Sequence, residues 1–248
     1  MKNINKWLAG SLGSLVMLGA QSQASSEDFS GSISLDYNSH FMSYGLNVWG
    51  TEDIGDEVFF NPSIGINYAL SETSGVYAGV WAEISDLDSD PPIGDNIQEV
   101  DIWAGYYFAA GDFSFDIALQ QWIYASEVEG ILDFTIGYDA KFSPTLTIHN
   151  RIEAVGTQNK GTMLVLAGSF YEGDVFSVSA NIGGSLSEFH VDGEDGYAFS
   201  SVTLGFGTPI SESVDFHGGL SFYHTDEDTT GNADSTYLTL NLGIGMSF

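Results

Sequence analysis

His149, Arg151 and Glu153 stand at i, i+2 and i+4 in "TLTIHNRIEAV", a spacing that aims three side chains from one face of a β-strand. An imidazole, a guanidinium and a carboxylate so placed suit general acid–base chemistry. No serine of the nucleophile-elbow type accompanies them. Glu153 therefore reads as the counter-charge of Arg151, no catalytic residue is assigned, and the chain is not expected to be an enzyme. A second candidate is "DLDSDPPIGDN", in which Asp86, Asp88 and Asp90 begin like a calcium loop. Such a loop needs glycine at its sixth position and a bidentate glutamate at its twelfth; Pro91 and Ile97 stand there instead. The three aspartates remain metal-ligand candidates without EF-hand geometry behind them. His40, His190, His217 and His224 share no metal-ligand spacing, and no cofactor is expected.

The remaining acids offer a third chemistry. Asp36, Glu83, Asp101, Asp116, Asp133, Asp139, Glu153 and Asp215 fall, with Asn38, on the strand parity of the small polar residues rather than the apolar ones. Lys141 and Arg151 are the cations of that parity. A wall of carboxylates in confined water raises the local cation concentration and repels anions. Trp81, Trp103 and Trp122, with Tyr77, Tyr107 and Tyr124, share the parity on three consecutive segments. Rings there either form a sliding surface for a sugar or an aromatic solute or fill volume.

Positioning these residues requires strands, and period-two alternation runs along the chain. The clearest case is its end, "TYLTLNLGIGMSF", where Leu238, Leu240, Leu242, Ile244, Met246 and Phe248 alternate with Tyr237, Thr239, Asn241, Gly243, Gly245 and Ser247. Twelve such segments follow one another, beginning with "FSGSISLDYNSHFMSYGLNV". Long acidic connections such as "WGTEDIGDE" and "HTDEDTTGNAD" take turns with tight ones such as "AAGD" and "EGD", with "ASEVEG" and "GTQNKG" as short members of the long class. An even strand number with short turns on one side and longer loops on the other is the pattern of a transmembrane antiparallel β-barrel of the bacterial outer-membrane type. In hydrocarbon every backbone N–H must be paired, so the last strand must close on the first. The apolar parity then faces lipid and the polar parity faces the lumen. Outward aromatics beside the tight turns, among them Tyr68, Phe108, Phe170 and Phe248, form one interfacial girdle. A soluble barrel or sandwich would instead turn its bulky apolar face inward.

The formal charge is −29, from 34 acidic and five basic residues, which excludes nucleic acid as a partner. Residues 1–24 carry Lys2 and Lys6, an apolar stretch from Trp7 to Ala20 and a small-residue site at Ala24, the pattern of a secretory signal peptide. Its removal leaves a single barrel domain over 25–248 with three basic residues. No later apolar run reaches the roughly 20 residues of a spanning helix. With no cysteine, an exported chain must be held by one large cooperative structure.

"SGVYAGVWAEIS" (74–85) followed by "QEVDIWAGYYFAAGDFSFDIALQQWIY" (98–124) resembles the TorF family of porins, and "LDYNSHFMSYGLN" is similar to that family's opening segment. The likeness covers about the first 125 residues after the signal peptide. It implies an outer-membrane, pore-type barrel and supplies no catalytic residues. The combined expectation is an integral outer-membrane barrel with both termini in the periplasm, passing small cationic or neutral solutes by diffusion through an acidic lumen. The alternative is a closed interaction barrel whose acidic loops bind divalent cations, lipopolysaccharide or a partner protein. Expected partners are membrane lipid, lipopolysaccharide and the assembly machinery that reads a terminal aromatic such as Phe248.

Overall fold

The computed structural model describes residues 28–87, 96–125, 127–156, 159–190 and 193–248. The proposed signal peptide, Asp88 and Asp90 lie outside the described residues. The alternating segments become β1 (Phe29–Asn38), β4 (Phe59–Ser71), β5 (Ser74–Ile84), β6 (Ile97–Ala110), β7 (Phe113–Tyr124), β8 (Glu127–Tyr138), β9 (Thr145–Glu153), β10 (Thr162–Glu172), β11 (Phe176–Leu186), β12 (Gly196–Pro209), β13 (Val214–Thr225) and β14 (Thr236–Ser247). A short hairpin, β2 (Met42–Ser43) and β3 (Leu46–Asn47), follows β1, and one helical turn, α1 (Glu227–Thr230), precedes β14.

The twelve long strands form a closed antiparallel barrel in which each pairs with its sequence neighbours and β14 pairs with β1. The closing ladder runs from Ser32↔Ser247 to Asn38↔Asn241. Gly31 and Phe248 then exchange both backbone hydrogen bonds, at 2.8 and 3.0 Å. The strand is thus used to its final residue, and closure leaves no edge of unpaired N–H groups.

Period-two alternation sorts the side chains as the sequence predicts. Ile33, Leu35, Ile64, Ile117, Leu119 and Leu204 lie on the outside and are exposed, between 39 and 58%, while the opposite parity carries polar, aromatic and glycine residues into the bore. This is the inverse of a soluble barrel, whose apolar face is buried. At the end holding the short turns, Tyr68, Phe108, Phe113, Phe142, Phe170, Phe176 and Phe248 are exposed on the outer surface. Neighbouring rings there touch, as in Phe142–Phe170 at 5.1 Å and Phe29–Phe248 at 6.5 Å.

Three expectations are corrected. The first segment is not one strand to Val48: β1 stops at Asn38 and the rest folds into the bore. The strand expected over 131–142 spans Glu127–Tyr138 instead. A turn with left-handed backbone at Phe142 and Ser143 (φ 75 and 41°) ends it early, so Asp139 and Lys141 lie exposed in that turn and line no wall. Lys141 packs over the Phe142 ring at 4.8 Å. Finally, a bulge between Gly130 and Ile131 breaks the register with β9, which leaves Glu153 exposed at the rim rather than beside Arg151.

Candidate functional site

The bore is crossed by the segment after β1. Ser39 anchors it to β14, its N–H donating to the Leu240 carbonyl and its Oγ accepting from the Leu240 N–H, each at 2.9 Å. Tyr44 and Gly45 then take left-handed backbone, φ 49 and 87°, the signature of a two-residue hairpin turn whose twist matches its strands. At that tip the Tyr44 hydroxyl lies 2.6 Å from Nδ1 of His149. His149 is on β9, six strands from β1 in either direction around the barrel, so the hairpin spans the full diameter. The tip is fastened on other sides too. Asn232 accepts from the Asn47 N–H (2.8 Å) and donates to the Gly45 carbonyl (2.7 Å). His190 Nε2 donates to the Tyr44 carbonyl (3.1 Å). Burial pushes the His190 imidazole down to about 4, which keeps it neutral and fit for that bond.

Around the hairpin the bore is filled. Phe41 stacks on Trp81 at 5.5 Å, Tyr44 on Trp122 at 6.2 Å, and Met163, Val165, Phe189 and Phe199 complete the second cluster. The wall makes room for its rings with glycine. Gly75, Gly79 and Gly105 stand directly across the β5–β6 ladder from Tyr107, Trp103 and Tyr77, and a Cβ on any of the three would overlap the facing ring. Carboxylates sit between the rings. Trp49 Nε1 donates to both oxygens of the fully buried Glu83 at 3.0 Å, and the Tyr124 hydroxyl donates to Glu99 at 3.1 Å. Asp101 is buried between Trp81 and Trp122, its partners on either side. Arg151 pairs with Glu129 at 2.6 Å, donates to the Phe189 carbonyl at 2.5 Å and lies 4.2 Å over the Phe189 ring.

Beyond the hairpin, toward the termini, the lining changes to small polar groups. His217 bridges two acids there, Nε2 to Asp36 at 2.7 Å and Nδ1 to Asp215 at 2.9 Å. Gly243 and Gly245 on β14 provide the space: a Cβ on the first would strike Asp36 and His217, and on the second Asp215. Ser34 Oγ donates to Asp36 at 2.7 Å and meets Ser63 Oγ at 2.9 Å. Asp116 accepts from the Tyr77 hydroxyl at 2.8 Å. Asp133 accepts from Gln120 at 2.6 Å and lies 2.5 Å from His149 Nδ1, tying the hairpin tip to the wall.

A family model described as a bacterial protein of unknown function, Gcw_chp, matches residues 21–150. The chain belongs to the Gcw_chp family. The fold is that of outer-membrane channels. The KdgM porin is 8% identical at a TM-score of 0.53, covering 88% of this chain and 99% of its own. The NanC porin is 7% identical at 0.53, covering 87% and 98%. An outer-membrane channel from Pseudomonas putida F1 is 10% identical at 0.53, covering 89% and 95%. Among curated proteins, none matches.

Within this Gcw_chp barrel, the positions read from sequence separate into three groups. Asp36, Glu83, Asp101, Asp116, Asp133, Arg151, Asp215 and the tryptophans Trp81, Trp103 and Trp122 all face the bore, whereas Asp139, Lys141 and Glu153 do not. Asp86 follows the end of β5, apart from the bore cluster, and no metal-holding group of three His, Asp or Glu occurs among the described residues. Glu99 and Glu129 were missed, though Glu99 shares the parity of Asp101 two residues away and Glu129 was read as part of a turn. His217 shares no metal-ligand spacing with the other histidines, and only the closed register shows that it stands between Asp36 and Asp215. Tyr44 lies inside the first alternating segment, where "FMSYGLN" carries one signal of a turn: Gly45, the residue that supplies φ > 0 without steric cost, between two short apolar–polar pairs.

Proposed function

We propose that this chain is an outer-membrane conduit of porin type, with both termini in the periplasm, that passes small cationic or neutral solutes by diffusion along an acidic bore. The observation that carries the reading is the closed twelve-strand barrel with an apolar outside and eight inward carboxylates (Asp36, Glu83, Glu99, Asp101, Asp116, Glu129, Asp133 and Asp215) against Arg151. An excess of fixed negative charge in a narrow aqueous path attracts cations and excludes anions. The porin-like fold supports a channel role, and the family match over 21–150 covers the strands that resemble the TorF porins. The aromatic girdle at the turn end supports placing that end at a membrane interface, where Phe248 would be presented to the assembly machinery.

The hairpin crossing the bore favours a second reading, a barrel closed at rest whose acidic loops engage divalent cations, lipopolysaccharide or a partner. Planar-bilayer recording separates the two. Discrete conductance with a cation-preferring reversal potential is the result expected of a channel; silence at every salt concentration and voltage would leave the closed barrel. Orientation is tested on intact cells with an impermeant maleimide, against a chain that has no cysteine of its own. Cysteine at Asp228 should react and cysteine at Ser211 should not.

A further inference from the structure

The geometry points to a binding site for an organic cation, an alkylammonium or guanidinium group, in the bore beneath the hairpin, between strands β5 and β8. The site deepens the channel reading by naming a solute class and rests on it. Directly paired positions across four strands read Trp81↔Asp101, Asp101↔Trp122 and Trp122↔Glu129, an alternation of ring and carboxylate in one layer. The next layer toward the loops pairs Glu83 with Glu99. Four carboxylates thus meet around two indoles, and Phe41 of the hairpin stacks on Trp81 as a cover.

Their charges are not balanced from within. Glu129 has Arg151, but among the described residues no ion pair serves Glu83, Glu99 or Asp101. Asp101 is 7% exposed; its carboxyl shares a hydrogen bond with that of Glu99, and its Oδ1 is buried with no hydrogen-bond partner. Buried carboxylates are retained when paired or neutralised, because an uncompensated charge away from water is costly. A cation between the rings would supply the missing charge. Indole faces attract cations within about 6 Å of the ring centre, and most of all when water is excluded. A small hard ion wants several oxygens and gains little from rings. A cation with an apolar shell uses both the carboxylates and the aromatic faces.

Four of the chain's five tryptophans, Trp49, Trp81, Trp103 and Trp122, lie in or beside this layer, so tryptophan fluorescence of the folded barrel in detergent reports on it. Choline chloride should shift the emission saturably, and 3,3-dimethyl-1-butanol, its uncharged isostere, should not. Sodium chloride at equal ionic strength should give no saturating response. Asp101→Asn should weaken choline at least tenfold, while Glu212→Gln, in an exposed turn, should leave it unchanged. The probe series on the unaltered chain needs no variant, so it stands even if Asp101→Asn fails to fold by heat-modified mobility. No saturable choline response would overturn the site and mean that the acids are neutralised by their own protons. An equal response to the butanol would reduce it to an apolar pocket, and an equal response to sodium to general screening. Conductance is recorded separately: a conducting barrel that ignores choline defeats the site and spares the channel reading, whereas a silent barrel that binds choline does the reverse.

Discussion

At the loop end of the bore Phe41, Tyr44, Trp81 and Trp122 press ring on ring, while at the terminal end Ser34, Ser63, Asp36 and His217 face one another through hydroxyls, carboxylates and imidazole. Both ends belong to one set of strands with one inward parity. Within β11, Ser179 is exposed although it points inward, whereas Gly183 and Ser185, further along toward the loops, are buried. The difference is what each wall packs against. The loop half meets the hairpin and must complement its rings; on β1, β13 and β14 the terminal half meets solvent and is small and wettable, while Tyr77 and Tyr107 carry rings down the β5–β6 wall. Glycine serves two kinds of neighbour, seating aromatic rings on β5 and β6 and an acid–imidazole–acid bridge on β14.

The largest test of that contrast removes the segment that distinguishes the halves. Replacing 40–50 by a short Gly-Ser linker should leave the barrel folded, because no long strand is touched, and should raise single-channel conductance at least severalfold in a planar bilayer. Unchanged conductance would mean that the hairpin is not the resistance and that the two halves are functionally alike.

A smaller effect separates the two kinds of inward glycine. Gly79→Val places a branched side chain into the Trp103 ring and the Ile64 carbonyl, and overpacking of this kind costs about 1–3 kcal/mol. Gly65→Val, inward on β4, meets only Ser32 Oγ at 3.7 Å and the Ala78 carbonyl at 4.0 Å. It should stay within about 0.5 kcal/mol of the unaltered protein, as substitutions away from packed features do. The two glycines face each other across the β4–β5 ladder, so urea unfolding in lipid vesicles compares them in one layer; equal costs would show that an inward glycine facing no ring is enclosed as tightly as one that seats Trp103.

Charge gives the next contrast. Asp36→Asn with Asp215→Asn removes fixed charge from the open half and should move the reversal potential of the hairpin-deleted barrel toward zero. The shift should be larger at 0.1 M salt, where the screening length is about 10 Å, than at 1 M, where it is about 3 Å. Phe134→Leu, on the outward parity of β8, should change nothing. A shift toward anion preference in the starting barrel would refute the acidic-path reading itself.

Much of this architecture was legible because strand parity is a local property: two residues of sequence fix which face a side chain joins, and Leu242 or Asp101 needs no partner to be assigned. What parity cannot carry is where a strand ends. Lys141 keeps the parity of a strand that has already ended at Tyr138, and Glu153 keeps the parity of a ladder that a bulge breaks at Gly130. Both errors inflated the apparent pairing of inward charge, giving Arg151 the wrong partner. The bridge at His217 was illegible for another reason. It joins residues 181 positions apart in sequence, and only closure of β14 on β1 brings β13 beside them. Gly243 and Gly245 are legible as small inward residues, but not that their smallness makes room for Asp36, His217 and Asp215.

The smallest expected effect concerns the hairpin tip and decides whether the loop half is a fixed core or a gate. Tyr44→Phe keeps the ring between Trp122, His149 and Phe189 and keeps the demand for a left-handed backbone, so packing and turn are unchanged. It removes one hydroxyl, which touches His149 Nδ1, the atom that Asp133 also approaches. Loss of a single buried hydrogen bond is worth about 1 kcal/mol, a factor of roughly five in a two-state population. If the hairpin leaves the bore as a unit, brief openings should become about that much more frequent while their amplitude stays constant, because the open path is the same. Tyr44→Ala, which also loses the ring contacts, should extend the same trend. A change in amplitude without a change in frequency would mean that Tyr44 narrows a permanently open path; no change in either would mean that the tip moves independently of conduction, and the contrast between the halves would then concern stability alone.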